Sequence, residues 1–98
     1  MTEIEKQGRQ YRYTIAGGRC EVCGKPINEF GTPQIAHCIA QGKSNLARYG
    51  SFFVQHRLNF RAVCSLRCND ACNIGNNPAK VIMLLSDILM YEAKHLGV

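Results

Sequence analysis

Asn59-Phe60-Arg61-Ala62-Val63-Cys64-Ser65-Leu66-Arg67-Cys68-Asn69-Asp70-Ala71-Cys72 places three thiols, two amides and two arginines within fourteen residues. Cys64, Cys68 and Cys72 recur every four residues, the interval that puts side chains on one face of a helix, and Asn73, Gly75, Asn76 and Asn77 then stop that helix. Thiols so placed need partners. The other close pair is Cys20 and Cys23, in Arg19-Cys20-Glu21-Val22-Cys23-Gly24-Lys25. Two residues between thiols let both sulfurs reach one tetrahedral ion, and Gly24 allows the left-handed backbone that such a turn often uses. Cys20, Cys23, Cys64 and Cys68 are therefore read as one structural zinc site. The second pair has three intervening residues, so one of its thiols is expected to project from the helix. Cys72 is the alternative fourth ligand. Otherwise Cys38 and Cys72 read as small buried apolar residues.

A chain of 98 residues makes one domain, small enough that a structural metal contributes appreciably beside the apolar core. No apolar run approaches the roughly 20 residues of a membrane span, and Met1-Thr2-Glu3-Ile4-Glu5-Lys6 lacks the basic-then-apolar order of a secretory signal. These features lead to the expectation of a cytoplasmic protein without a membrane partner. Six cysteines in an exported chain would suggest disulfides; in this setting they favour zinc. Redox work by Cys20 and Cys23 is disfavoured because Gly24, Lys25 and Pro26 turn the chain where a thioredoxin-like motif would begin a helix.

Net charge is +5, and its distribution is uneven. From Phe30 to Asn69 there is no aspartate or glutamate, while Lys43, Arg48, Arg57, Arg61 and Arg67 fall in the same window. Such a stretch suits a phosphate backbone, bound in a salt-dependent way, although arginine stems also serve simply to cover apolar surface.

Residues 1–9 are polar and aperiodic and read as a flexible tail, with a single domain over 10–98. Tyr11, Tyr13 and Ile15 alternate with polar neighbours, which predicts a short strand ending at Gly17-Gly18. Pro26, Asn28, Gly31 and Pro33 describe a loop. Gln34 to Ile39 reads as a strand interrupted by His37, and Ala40 to Tyr49 as a basic loop or a short helix from near Ser44. Ser51 to Leu58 is expected to be a second strand pairing with the first, ended by Asn59. Asn77-Pro78 then starts a helix over 78–95, with Ala79, Ile82, Leu85, Leu89 and Ala93 as its apolar stripe.

The order of these features resembles the HNH endonuclease family. The resemblance rests on Cys20-Glu21-Val22-Cys23-Gly24, Ile35-Ala36-His37 with Ile39 beyond it, Asn59, the gap from Asn59 to Cys64, and Cys68-Asn69. It covers about 18–77, the core motif, and the flanking phrases Lys43 to Gly50 and Cys72 to Pro78 look like a phage or prophage-associated branch. It implies an α+β fold: a small zinc-stapled ββα-metal (His-Me finger) domain, here with an additional C-terminal helix. It also implies metal-dependent hydrolysis of DNA phosphodiester bonds, in double-stranded DNA. His37 would be the general base, Asn59 would hold the loop and orient that histidine, and Asn69 would stand at a metal-binding position. A second divalent cation (Mg2+, Mn2+, Ni2+ or Zn2+) would serve catalysis. Arg57, Arg61 and Arg67 would position the backbone rather than read bases.

The chain departs from the family at Ala36, where many members carry a metal ligand. Either His56 or a residue such as Asp70 would supply the missing ligand, or His37 would itself be the ligand with Cys38 at the base position, or the catalytic metal would be bound weakly. Two other readings follow: a zinc-stabilised nucleic-acid-binding module that does not cut, and a structural domain whose last helix docks a partner through Leu84, Leu85, Ile88 and Leu89.

Overall fold

In a computed structural model, residues 2–27 and 34–96 are described. The first element is a helix, α1 (Glu3–Ala16), where a tail and a short strand were expected. Thr2 caps it by accepting from the Glu5 backbone N–H at 3.2 Å, and Gly17 closes it in the left-handed region at φ 63°. Its inward face is built from Gly8 and from half-buried Arg9, Tyr11, Arg12 and Tyr13. That face lacks an aliphatic stripe, so periodicity alone could not reveal it. Gly8 is required by proximity: a Cβ there would lie 3.0 Å from Cε2 of the fully buried Phe60.

The helix is tied to the cysteine turn by charge. Glu21 receives Arg12 in a two-pronged contact, Nε to Oε2 at 3.0 Å and Nη2 to Oε1 at 2.9 Å, and also accepts the Ala62 N–H at 2.7 Å. Charge-assisted pairs of this geometry are the stronger kind of hydrogen bond. The Arg12–Glu21 bridge thus holds α1 beside the second strand.

Strand β1 (Gln34–His37) pairs antiparallel with β2 (Phe60–Val63), with His37 opposite Phe60 and Gln34 opposite Val63. The expected partner strand over 51–58 is not one. Gly50, at φ 84°, separates α2 (Lys43–Tyr49) from the short α3 (Ser51–Val54), and a 3-10 turn (Arg57–Asn59) leads directly into β2. Asn59 therefore precedes a strand instead of ending one. Helix α4 (Leu66–Ala71) follows, capped by Ser65, whose hydroxyl accepts from the Cys68 N–H. Cys64 lies just before that cap and Cys68 within the helix.

Helix α5 (Pro78–His95) has the bounds the sequence predicts, with Asn77 accepting from the Lys80 N–H at 3.1 Å. Its buried face is not the one expected. Val81, Leu84 and Ile88 point inward, whereas Ile82 and Leu89 are exposed. The helix is apolar on both sides, and only packing selects between two stripes of equal period. Leu84 and Ile88 are thereby committed to the interior and cannot dock a partner.

Two apolar clusters result. One joins Cys20, Ile27, Ile35, Phe60, Val63 and Cys68; the other joins Cys38, Ile39, Val54, Val81, Leu84 and Ile88. The apolar residues of the strand pair belong to the first cluster. Among the described residues, no helix is long and apolar enough to cross a membrane.

Candidate metal centre and histidine site

The cysteine turn is shaped by backbone bonds that leave its sulfurs on one side. Cys20 N–H donates to Lys25 O at 2.8 Å, Gly24 N–H donates to Cys20 O at 3.0 Å, and Gly24 takes φ 79°. Arg19 and Pro26 form an isolated antiparallel bridge that closes the turn. Across from it, the end of β2 and the first turn of α4 deliver Cys64 and Cys68.

The four sulfurs of Cys20, Cys23, Cys64 and Cys68 lie within 4.8 Å of one another. Two edges of the group are 3.5 Å (Cys23 to Cys64) and 3.9 Å (Cys64 to Cys68). Zinc–sulfur bonds of about 2.3 Å at tetrahedral angles need sulfurs roughly 3.8 Å apart. The cluster therefore fits a zinc ion with no open position, the pattern of a structural site. Cys72 stays outside the four, so the alternative ligand assignment is corrected: Cys72 packs half-buried between the two apolar clusters.

Protonation of the metal-free cluster is uneven. Burial pushes the Cys20 thiol up, but backbone N–H groups of Cys23, Val22 and Cys64 favour its thiolate and bring the pKa down to about 6. The Cys64 thiol is pushed up to about 11, first by its hydrogen bond with Cys23 and then by burial. The Cys20 sulfur is thus ready to receive a cation, while the Cys64 thiol must first give up its proton. Burial also raises Cys38, and raises Cys72 to about 11, so both remain thiols near neutral pH.

His37 closes β1 and is buried on its Phe60 side, with the two rings edge to face at 4.9 Å. Its Nε2 lies 3.0 Å from Gln55 Oε1, and Gln55 Nε2 in turn donates to Gln41 Oε1 at 3.1 Å. A carbonyl oxygen can only accept, so Nε2 carries the proton and Nδ1 keeps its lone pair. Burial lowers the His37 pKa below 6.5; Arg9 lowers it further, while the Gln55 bond and Glu5 act in the opposite sense. Gln41, Gln55, Arg9 and Glu5 are participants that sequence reasoning missed. They come from three separated segments, and no local spacing announces them.

A histidine whose folded pKa is depressed binds fewer protons in the folded than in the unfolded chain. Its contribution to stability is complete above about pH 6.5 and is lost as pH falls through the folded-state value. Zinc-loaded His37→Gln should therefore lose less thermal stability than the wild type between about pH 7.5 and 5.5. Comparing the two proteins by thermal unfolding cancels the proton release common to both zinc sites. Equal losses would show that His37 is not held neutral by the fold.

Asn59 is fully buried, and its amide stitches two chain segments together. Oδ1 accepts from Ile39 N–H at 2.7 Å, and Nδ2 donates to Ile39 O at 3.0 Å and Val54 O at 2.8 Å. Its carbonyl accepts the Cys38 N–H at 2.9 Å. Asn59 thus fixes the backbone on both sides of the His37 loop; the ring itself is held by Gln55.

His56 is diverted elsewhere. Its Nδ1 accepts from Leu58 N–H at 3.1 Å and its Nε2 donates to Glu92 Oε1 at 2.7 Å, so neither ring nitrogen is free for an ion. Asn69 is half-buried on α4, a helix that packs against β1. Among the described residues, the four cysteines are the only group of three or more His, Cys, Asp or Glu side chains close enough to hold a metal. No group of this kind stands beside His37 among the described residues. Ala36 supplies no ligand, and His56 does not replace it.

The five expected phosphate-binding cations fall into two groups. Lys43, Arg48 and Arg67 are exposed. Arg57 lies over Tyr11 at 4.9 Å and Tyr91 at 5.8 Å, and Arg61 donates to the Leu58 and Phe60 carbonyls at 2.9 and 2.7 Å. Those two brace the fold.

No protein-family model matches the chain, and neither a curated protein nor a solved structure matches it.

Proposed function

We propose that the chain is a zinc-stapled HNH-type phosphodiesterase acting on DNA, in which His37 activates water. The observation that carries this reading is the state of one imidazole: proton fixed on Nε2 by Gln55, Nδ1 unprotonated, pKa below 6.5. Such a nitrogen can accept a proton near neutral pH. In the reaction, His37 Nδ1 takes a proton from water as its oxygen attacks phosphorus, and the bond from phosphorus to the leaving oxygen breaks. That oxygen takes its proton from solvent.

The order β1, β2, α4 around the cysteine cluster supports a ββα-metal assignment. The bonds of Asn59 to Ile39 and Val54, which hold the loop after His37, support the reading. Glu5 and Gln55, two of the groups that act on the His37 ring, line a cleft of about 540 Å³ together with His56 and Arg57, while His37 itself lies outside its lining. Exposed Lys43, Arg48 and Arg67 suit the flanking backbone.

Supercoiled plasmid incubated with zinc-loaded protein and a panel of divalent ions tests the proposal. Nicking is expected in the wild type and a loss on the order of 10²-fold or more in His37→Ala. Equal nicking by the variant would remove His37 from the mechanism. A second reading, a zinc-stabilised module that binds nucleic acid without cutting, is favoured by Ala36, which offers no ligand, and by the engagement of both His56 ring nitrogens. Salt-dependent DNA binding, unchanged in His37→Ala and without cleavage under any ion, would select it.

A further inference from the structure

We propose that Arg9, on α1, is the phosphate clamp of the His37 site. The inference deepens the nuclease reading and rests on it for the nature of the ligand, a phosphate oxygen of a nucleic-acid backbone.

The observation behind it is an unanswered donor. Arg9 Nε is the only buried side-chain nitrogen or oxygen without a hydrogen-bond partner among the described residues. A buried polar group left unpaired is costly and calls for a partner, whether water, ion or ligand. No carboxylate pairs with this guanidinium among the described residues, where the ion pairs are Arg12 with Glu21 and His56 with Glu92. Glu5 stands one turn away on the same helix, where it accepts from the Thr2 hydroxyl at 3.3 Å.

Position supplies the second argument. The Arg9 guanidinium carbon lies 5.9 Å from the centre of the Phe60 ring, and the same ring meets His37 edge to face. Phe60 therefore acts as a common platform for a cation and an imidazole. The charge of Arg9 is felt at His37. Both groups meet one ring, so an anion received by Arg9 would lie near the His37 side chain.

Gly8 makes this placement possible. A Cβ at that position would crowd Phe60 and Arg57, so the glycine lets α1 approach closely enough to bring the next side chain over the ring. Guanidinium groups match phosphate through paired N–H donors, and a donor already stripped of water costs less to engage. Glu5, the one carboxylate acting on His37, opposes anion binding at the same place. It favours a ligand held by the Arg9 N–H over a diffuse excess of positive charge.

The test uses the zinc-loaded full chain and inorganic phosphate. NMR resonances of the Arg9 Nε–H and the His37 ring are followed during titration, alongside plasmid nicking. The wild type should show saturable shifts of both groups. Arg9→Gln should abolish the His37 shift and lower nicking on the order of 10²-fold, with zinc content unchanged and thermal stability unchanged or raised, since it removes an unpaired donor. Arg9→Lys, which keeps charge and stem but loses the Nε–H, should nick more slowly than wild type.

Phosphate that leaves the Arg9 Nε–H unmoved would overturn the clamp, as would Arg9→Gln or Arg9→Lys nicking at the wild-type rate. Should the wild type bind phosphate at Arg9 and His37 yet cut no DNA, the nuclease reading falls and the anion site stands.

Discussion

Removing the metal from the four-sulfur site is expected to unfold the protein. A structural zinc site contributes roughly 10–16 kcal/mol of apparent binding energy at neutral pH, comparable to or above the about 5–15 kcal/mol by which a domain is stable overall. Cys20 and Cys68 are buried in the first apolar cluster, which also contains Ile35, Phe60 and Val63. Without an ion, the cysteine turn is hydrogen-bonded to β2 through Glu21, whose backbone N–H and carboxylate both engage Ala62. A chelator should abolish the near-ultraviolet circular dichroism and the cooperative thermal transition, and zinc should restore both. Cys68→Ser should behave like the metal-free chain, while Cys72→Ser should retain zinc and unfold within a few degrees of the wild type. A cooperative transition surviving in the chelated protein would show that the apolar clusters suffice without zinc.

The next largest effect is expected at Asn59. Asn59→Ala leaves the Ile39 N–H, the Ile39 carbonyl and the Val54 carbonyl without partners in a fully buried position. Each unsatisfied group costs about 1–3 kcal/mol, so three of them cost on the order of 3–9 kcal/mol. For a domain of this length, 1 kcal/mol moves the midpoint by about 4–8 °C. Thermal unfolding of the zinc-loaded variant should therefore begin on the order of 15 °C or more below the wild type. Asn59→Asp keeps the acceptor for Ile39 N–H but turns an anion toward two carbonyls, and it should be about as damaging. Midpoints within a few degrees of wild type for both variants would mean that water replaces the amide and that the loop does not depend on it.

Legibility in the sequence followed the range of each interaction. The cysteine pairs were readable because their chemistry is local in each half, and four sulfurs have few other ways to pair. The bounds of α5 were readable from Asn77 and Pro78, since a cap and an N1 proline act within one turn. Its inward face was not, because Val81, Leu84 and Ile88 compete with Ile82, Leu85 and Leu89 at the same period. Helix α1 was missed because its packed side is made of Gly8, arginines and tyrosines, whose burial depends on Phe60 and Glu21. Ser51 to Leu58 alternates like a strand, but Gly50 and the demands of Asn59 break it into short helical turns.

At the site, His37 and Asn59 could be named from order and type. Their partners Gln55 and Gln41 could not, nor could the engagement of His56 by Glu92, 36 residues away. Hydrogen bonds between distant segments leave no periodic trace. The same holds for the placing of Arg57 over Tyr11 and Tyr91.

X-ray absorption at the zinc edge, with metal content measured on the same sample, tests the scaffold most directly. One zinc per chain with a shell of four sulfurs at about 2.3 Å is the expected result, retained in Cys72→Ser. A shell containing nitrogen or oxygen, or one that loses a sulfur when Cys72 is replaced, would contradict the assignment of Cys20, Cys23, Cys64 and Cys68 as the clasp on which the His37 site is built.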